Sequence, residues 1–210
     1  MCCSSFFWLR EELLQNTASL SRKRVTIFLD KMIHIFEKGI YMDNYKCFEN
    51  AKENAYMTDT PCQFCGTTEN CLDGVFIEGD EDYESVCLDC YDAGKAPNRI
   101  PPYVAEKVNN DPQKIRDLSL CPPVPWIQSN EWPVCCGDFG VFLGEWTNTD
   151  FDRASEDGNG FAFLQVILAD DQKSRVDSFE NLWNDISFEA AAFVFRCPHC
   201  GRLTAVCQYY

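Results

Sequence analysis

Over the first forty positions, apolar residues recur with a helical period. Phe6, Leu9, Leu13 and Leu14 predict a helix over 5–16. Val25, Phe28, Leu29, Met32, Ile33 and Phe36 follow the i, i+3, i+4, i+7 rule and predict a second helix over 22–38, with Ser19 or Ser21 as cap and Gly39 as stop. His34, alone on that helix, reads as a core or surface residue rather than a ligand. Residues 42–56 read as a third short helix or an irregular linker. The period then shortens. Residues 74–78 and 83–87 predict two strands joined by an acidic turn over 79–82. A short helix over 88–94 ends at the prolines of 97–102, and 103–108 allows one or two helical turns. Asp111 as N-cap, with Pro112 at the first helical position, predicts a helix to about Leu118.

The prolines 122, 123 and 125 hold the chain before Trp126 extended. Packing of this segment on core aromatics is preferred to a role as ligand for a proline-binding domain. Residues 141–146 alternate enough for a strand or a buried turn, and 150–160 read as an acidic, glycine-containing loop. The apolar run 161–168 reads as a helix, and Ser178 caps another over 179–186. The β-prone runs 190–196 and 203–208 predict a terminal hairpin. The expected fold is α+β: zinc-ribbon-like β-hairpins with short helices, in a domain over 58–210, preceded by a helical extension over 1–57. At 210 residues, 46% hydrophobic, the chain can bury a sizeable core.

The cysteines change the picture most. Cys62-Gln-Phe-Cys65-Gly66 and Cys87-Leu-Asp-Cys90 form two Cys-x-x-Cys pairs separated by 21 residues. That spacing fits a four-thiolate zinc site, because a tight turn points both sulfurs of a pair at one centre while its backbone N–H groups spread their charge. A hairpin fills the loop between the pairs. A further turn, Cys197-Pro-His-Cys200-Gly201, needs two more ligands. Cys135 and Cys136 are the leading candidates, with Cys136 preferred, because two adjacent cysteines bind one metal only through an unusual bend. His199, Cys207 and Cys121 stand in reserve. One zinc is expected and two are allowed. Fourteen cysteines also suit a disulfide scaffold, but that belongs to small secreted chains. Phe6–Leu9 has no basic stretch before it and Glu11 and Glu12 interrupt it, so it is not read as a secretory signal. The cytoplasm is the expected compartment. No apolar run reaches membrane-helix length.

Acid outnumbers base 33 to 18, giving a net charge of −15. This argues against nucleic acid, whose binders need basic stripes. It serves solubility, with the acidic residues on solvated loops, or else suits a basic protein partner meeting Glu78, Asp80, Glu81, Asp82 and Glu84, with Asp150, Asp152, Glu156 and Asp157 as a second acidic stretch. Asp150 and Asp152 have calcium-loop spacing, but the later ligands of such a loop are missing. Enzymatic chemistry finds little support. Only two histidines offer a base for a nucleophile. Cys197 and Cys200 match the dithiol of oxidising thioredoxin-fold enzymes, which need a long helix after the motif; here a short β-prone run follows.

These motifs together resemble one family. Pro61-Cys-x-x-Cys-Gly, Val86-Cys-x-x-Cys with Asp92-Ala-Gly-Lys-Ala, Trp126, Trp132-Pro-x-Cys-Cys-Gly-Asp and the ending Phe195-Arg-Cys-x-His-Cys-Gly resemble the CbrC family over about residues 58–210. That is a group of bacterial proteins without established biochemical activity. The resemblance implies a cysteine-rich, zinc-supported protein and, through the family name, tolerance of a nuclease colicin. The family pattern carries another cysteine four residues after Cys136, where this chain has Gly140, which shifts a ligand role to Cys135. Three functions follow. One is a toxin-tolerance or immunity-type protein acting through its acidic surface. Another is a zinc-ribbon adaptor or stress-response module with a different partner. The third is a thiol-redox enzyme using Cys197 and Cys200.

Overall fold

The last β-hairpin organises the fold. In the computed structural model, which describes residues 45–79 and 81–210, β7 (Ala190–Arg196) pairs antiparallel with β8 (Leu203–Tyr209) on one side and with β6 (Val141–Glu145) on the other. Successive residues of a strand face opposite ways, and β7 uses both faces. Ala191, Phe193 and Phe195 enter one core, while Ala190, Ala192 and Val194 enter a second. The small side chains of the second face let α6 (Gly160–Ile167) and α8 (Phe179–Asp185) bring Leu164, Leu182 and Ile186 close against the sheet. The phenylalanines of the first face meet Phe142, Trp126 and Trp132. Trp126, at the end of the proline segment, thus packs on core aromatics, and Pro122, Pro123 and Val124 before it are buried.

The first core continues into a three-stranded antiparallel sheet: β1 (Met57–Thr58), β2 (Cys71–Asp73) and β3 (Ser85–Cys87). Its remaining elements are α1 (Ala51–Asn54), α2 (Leu88–Asp92), α3 (Pro102–Glu106) and α4 (Pro112–Ser119). A two-strand hairpin, β4 (Val134–Cys135) and β5 (Asp138–Phe139), leads into β6. On the second core lies α5 (Asn148–Ala154), through Phe151, and α7 (Asp170–Lys173) follows α6 with Gln172 buried. The class is α+β, with small antiparallel sheets and cysteine-bearing hairpins. The described residues fall within one compact unit, Asp43–Tyr210. Within it Phe48 is buried, bridges to Phe142 and meets its ring at a tilt, centroids 4.9 Å apart. The helices expected over 5–16 and 22–38, His34, the start of 42–56, and Asp80 lie outside the described residues.

Two expectations need correction. The strand expected over 74–78 is a 3₁₀ turn, Gly74–Phe76, and the true partner of β3 is β2, three residues earlier. The Asp73 carboxylate accepts from the Val75 N–H at 3.1 Å and turns the chain out of the ladder, so the apolar run never pairs. The loop expected over 150–160 is helical at its start. Thr147 caps α5, and Asp150 answers by accepting from the Thr147 N–H at 2.9 Å. This reciprocal capping box satisfies two end groups of the helix. Elsewhere the local signals hold: Asp111 accepts from the N–H groups of Gln113 and Lys114 at the start of α4, and Ser178 from that of Asn181 at the start of α8.

The outer edge of β8 is closed by one backbone bridge, where the Ala169 N–H donates to the Ala205 carbonyl at 2.9 Å, and beyond it by a side chain rather than a strand. The Gln172 amide accepts from the Cys207 N–H at 2.8 Å and donates to the Cys207 carbonyl at 3.0 Å and to Glu131 at 2.7 Å. One buried glutamine thus supplies what a neighbouring strand would. Gln172→Ala leaves the Cys207 backbone groups without these partners, and the expected cost is about 1–3 kcal/mol. A urea melt checks it: an unchanged midpoint would mean that water replaces the amide fully.

Candidate metal centres

The first centre is assembled by β3. Cys87 ends this strand as the residue before α2, and Cys90 lies within that helix. Cys62 and Cys65 occupy a turn closed by the Gly66 N–H donating to the Cys62 carbonyl at 2.8 Å, and Gly66 takes φ +77°, a conformation that strains any side chain. The turn is pinned to β3, because the Gln63 N–H donates to the Ser85 carbonyl at 3.0 Å and the Ser85 hydroxyl to the Thr60 carbonyl at 2.8 Å. The Sγ atoms of Cys62, Cys65, Cys87 and Cys90 all lie within 4.8 Å of one another. Cys62, Cys87 and Cys90 are buried and Cys65 is exposed.

The second centre follows from strand register. Val141 pairs with Arg196, so the hairpin that precedes β6 comes to lie beside the loop that follows β7. That hairpin carries Cys135 and Cys136, and that loop carries Cys197 and Cys200. Cys136 and Gly137 form the two-residue tip between β4 and β5, both with positive φ (+54° and +76°), as a type I′ hairpin requires. This is the unusual bend that two adjacent cysteines need. The preference for Cys136 over Cys135 is superseded, since the Sγ atoms of Cys135, Cys136, Cys197 and Cys200 all lie within 4.8 Å of one another. Cys197 repeats the first turn: Gly201 donates to its carbonyl at 3.1 Å and Cys197 donates to the Arg202 carbonyl at 2.8 Å. The reserves stand elsewhere. Cys121 is buried beside Cys47, with its thiol on the Asp117 carbonyl at 3.2 Å. Cys207 packs on the second core, and His199 Nε2 sits 3.2 Å from Asp138 Oδ2.

Each group shares protons unevenly. Burial opposes ionisation of Cys62, but the N–H groups of Cys87, Phe64 and Cys65 outweigh it and draw the thiol down to about 6. Burial likewise opposes ionisation of Cys197, and the N–H groups of Cys200 and His199 draw it down to about 6. Burial pushes Cys87 up to about 12, and Cys135 is pushed up to about 12 by its thiol neighbours, Cys197 first and then Cys200. Each cluster therefore holds an easily formed thiolate among more reluctant thiols, and a divalent cation would take the place of the shared protons. Two lysines that sequence reasoning did not single out add positive charge. Lys95 places Nζ 3.4 Å from Cys90 Sγ, and Lys114 donates to the Gly137 carbonyl at 2.6 Å. Nothing in the cysteine spacing marks either one.

The acidic loop is described except for Asp80. Glu78, Glu81, Asp82 and Glu84 are exposed there. In the second acidic stretch, Asp150 caps α5 and pairs with Arg153 at 3.1 Å, and Asp152 accepts from the Gly160 N–H at 2.8 Å. The Cys197–Cys200 turn runs into β8, a strand rather than a helix. Among the described residues, no helix is long and apolar enough to cross a membrane.

The family model described as "Uncharacterised protein family (UPF0167)" matches residues 42–209, and the chain belongs to this family. No curated protein and no solved structure matches it.

Proposed function

We propose that this member of an uncharacterised family is a non-enzymatic protein of the CbrC type, held together by two Zn²⁺ ions and binding a basic protein through its acidic surface. One observation carries the reading: two separate groups of four cysteine sulfurs, each gathered within 4.8 Å. Four thiolates complete the tetrahedral shell that Zn²⁺ takes in structural sites and leave no position for a water or substrate. Cys62, Cys65, Cys87 and Cys90 would hold one ion and Cys135, Cys136, Cys197 and Cys200 the other. In each case the metal supplies a cross-link between hairpins. The remaining functional feature is charge. A net −15 and the exposed carboxylates of Glu78, Glu81, Asp82 and Glu84 favour fast, steered encounter with a basic surface. A nuclease toxin has such a surface because it grips phosphates, and covering that surface would give tolerance.

The test has two arms. Native mass spectrometry of the full chain should find two zincs. Titration against basic nuclease domains should give saturable binding that weakens with salt and is lost when Glu81 and Asp82 are both changed to Lys. Fewer than two zincs would overturn the structural reading. The absence of salt-sensitive binding across the nuclease panel would overturn the partner.

A further inference from the structure

A groove of about 860 Å³ opens beside the second centre, between α3, α7, the chain before β4 and the start of β8. Its size is that of a small-molecule site. Its lining divides by chemistry. Tyr103, Pro133, Val134 and Val206 give an apolar wall, and three cations, Lys107, Arg175 and Arg202, share the lining with three carboxylates, Glu131, Asp170 and Asp171.

Those charges do not cancel pairwise. Asp171 holds Arg175 at 2.6 Å with Glu131 4.0 Å away on the same guanidinium, Asp170 holds Lys173 at 3.2 Å, and Glu131 also accepts from Gln172 at 2.7 Å. Lys107 and Arg202 are left over. Lys107 donates to the Trp132 carbonyl at 3.0 Å but has no carboxylate within ion-pairing distance, and the Arg202 side chain has neither an ion pair nor a hydrogen bond among the described residues. In a chain with 15 more acids than bases, carboxylates are plentiful, yet neither of these two cations has one within ion-pairing distance. Loss of hydration lowers the Lys107 pKa, against the pull of Glu131 and Asp171, so the ammonium gains from a new anionic partner.

We propose that this groove binds a small amphipathic monocarboxylate, its anionic end between Lys107 and Arg202 and its apolar body along Tyr103, Pro133 and Val206. The chemistry selects against other anions. Arginine meets a carboxylate with two parallel N–H donors and lysine adds a point charge. The three carboxylates in the same lining repel a polyanion. The apolar wall gives a purely inorganic ion nothing to bury. This inference does not depend on which metal the cysteines hold or on the protein partner.

The test is a titration of the ¹⁵N-labelled, zinc-loaded full chain with benzoate, followed by amide shifts. Saturable shifts confined to residues 103–107, 129–135 and 202–206 are expected. Benzamide, the neutral isostere, and inorganic phosphate should each bind about tenfold more weakly or less. Lys107→Met and Arg202→Met should each weaken benzoate by a similar factor, with Lys107→Arg restoring much of it. Both residues are exposed, so the variants should fold, and an unchanged melting curve verifies this. Equal binding of benzamide, phosphate binding as tight as benzoate, or shifts outside the groove would overturn the assignment, as would no saturable shift.

Discussion

On the proposed two-zinc reading, Cys87→Ser should empty the first centre, leave the second loaded, and lower the stability of the unit by several kcal/mol, because metal binding and folding are one equilibrium in such hairpins. Cys87 is the position to change, since it joins three structures. It closes β3, it precedes α2, and its Cα pairs with that of Cys71 on β2. Loss of its thiolate frees the Cys62–Cys65 turn from the helix that carries Cys90. Cys71 provides the matched control. It is buried in the same register pair, but its thiol turns to the Thr67 carbonyl at 3.3 Å and is not part of the four-sulfur group. Cys71→Ala should cost about 1 kcal/mol, the worth of one buried hydrogen bond, and keep the zinc count at its starting value. Native mass spectrometry with a urea melt on both variants settles the matter. An unchanged zinc count in Cys87→Ser, or equal destabilisation by both variants, would remove the first centre as a metal-held structure.

How much of this fold is legible in the sequence depends on the range of the interaction. The turns ending in Gly66 and Gly201 are local, and so is the Asp111–Pro112 start of α4; the residues that make them are contiguous, so their spacing carries the signal. The first centre needed only one hairpin to close. The second depends on Val141 pairing with Arg196 and on a positive φ at Cys136, which a one-dimensional pattern does not encode. The misreadings have local causes of their own. Val75, Phe76 and Ile77 have strand-like composition, but Asp73 caps them into a 3₁₀ turn. The acidic residues after position 150 look like a loop, but a carboxylate three residues after a threonine is a helix start. Lys107 and Arg202, 95 positions apart (202 − 107), share a groove only because α3 and β8 flank it.

Phe195→Ala should be the most damaging substitution outside the cysteines, and its effect should reach one metal centre only. The ring is 1% exposed and lies 5.8 Å from Trp126, 5.4 Å from Trp132 and 5.2 Å from Phe142, centroid to centroid. Truncation of a phenylalanine so enclosed costs about 3–5 kcal/mol, from lost burial and the cavity left behind. The second effect follows from the neighbours. Trp132 donates Nε1–H to the Gly140 carbonyl at 2.8 Å, and Gly140 in turn donates to the Pro133 carbonyl at 3.0 Å, bracketing the hairpin that presents Cys135 and Cys136. A Trp132 that has lost its packing partner holds that hairpin less firmly, while Cys197 lies two residues beyond the deleted ring. Metal should therefore leave the second centre faster when a chelator is added, with the rate at the first centre unchanged. Val194→Ala separates the two consequences: this neighbour on β7 faces the opposite core, so it should lower stability by less and leave both release rates alone. Chelator kinetics on the three proteins, with each centre followed in a background lacking the other, measures this directly. If Phe195→Ala quickens release equally at both centres, global unfolding is the route of metal loss, and the aromatic cluster has no special hold on the second site.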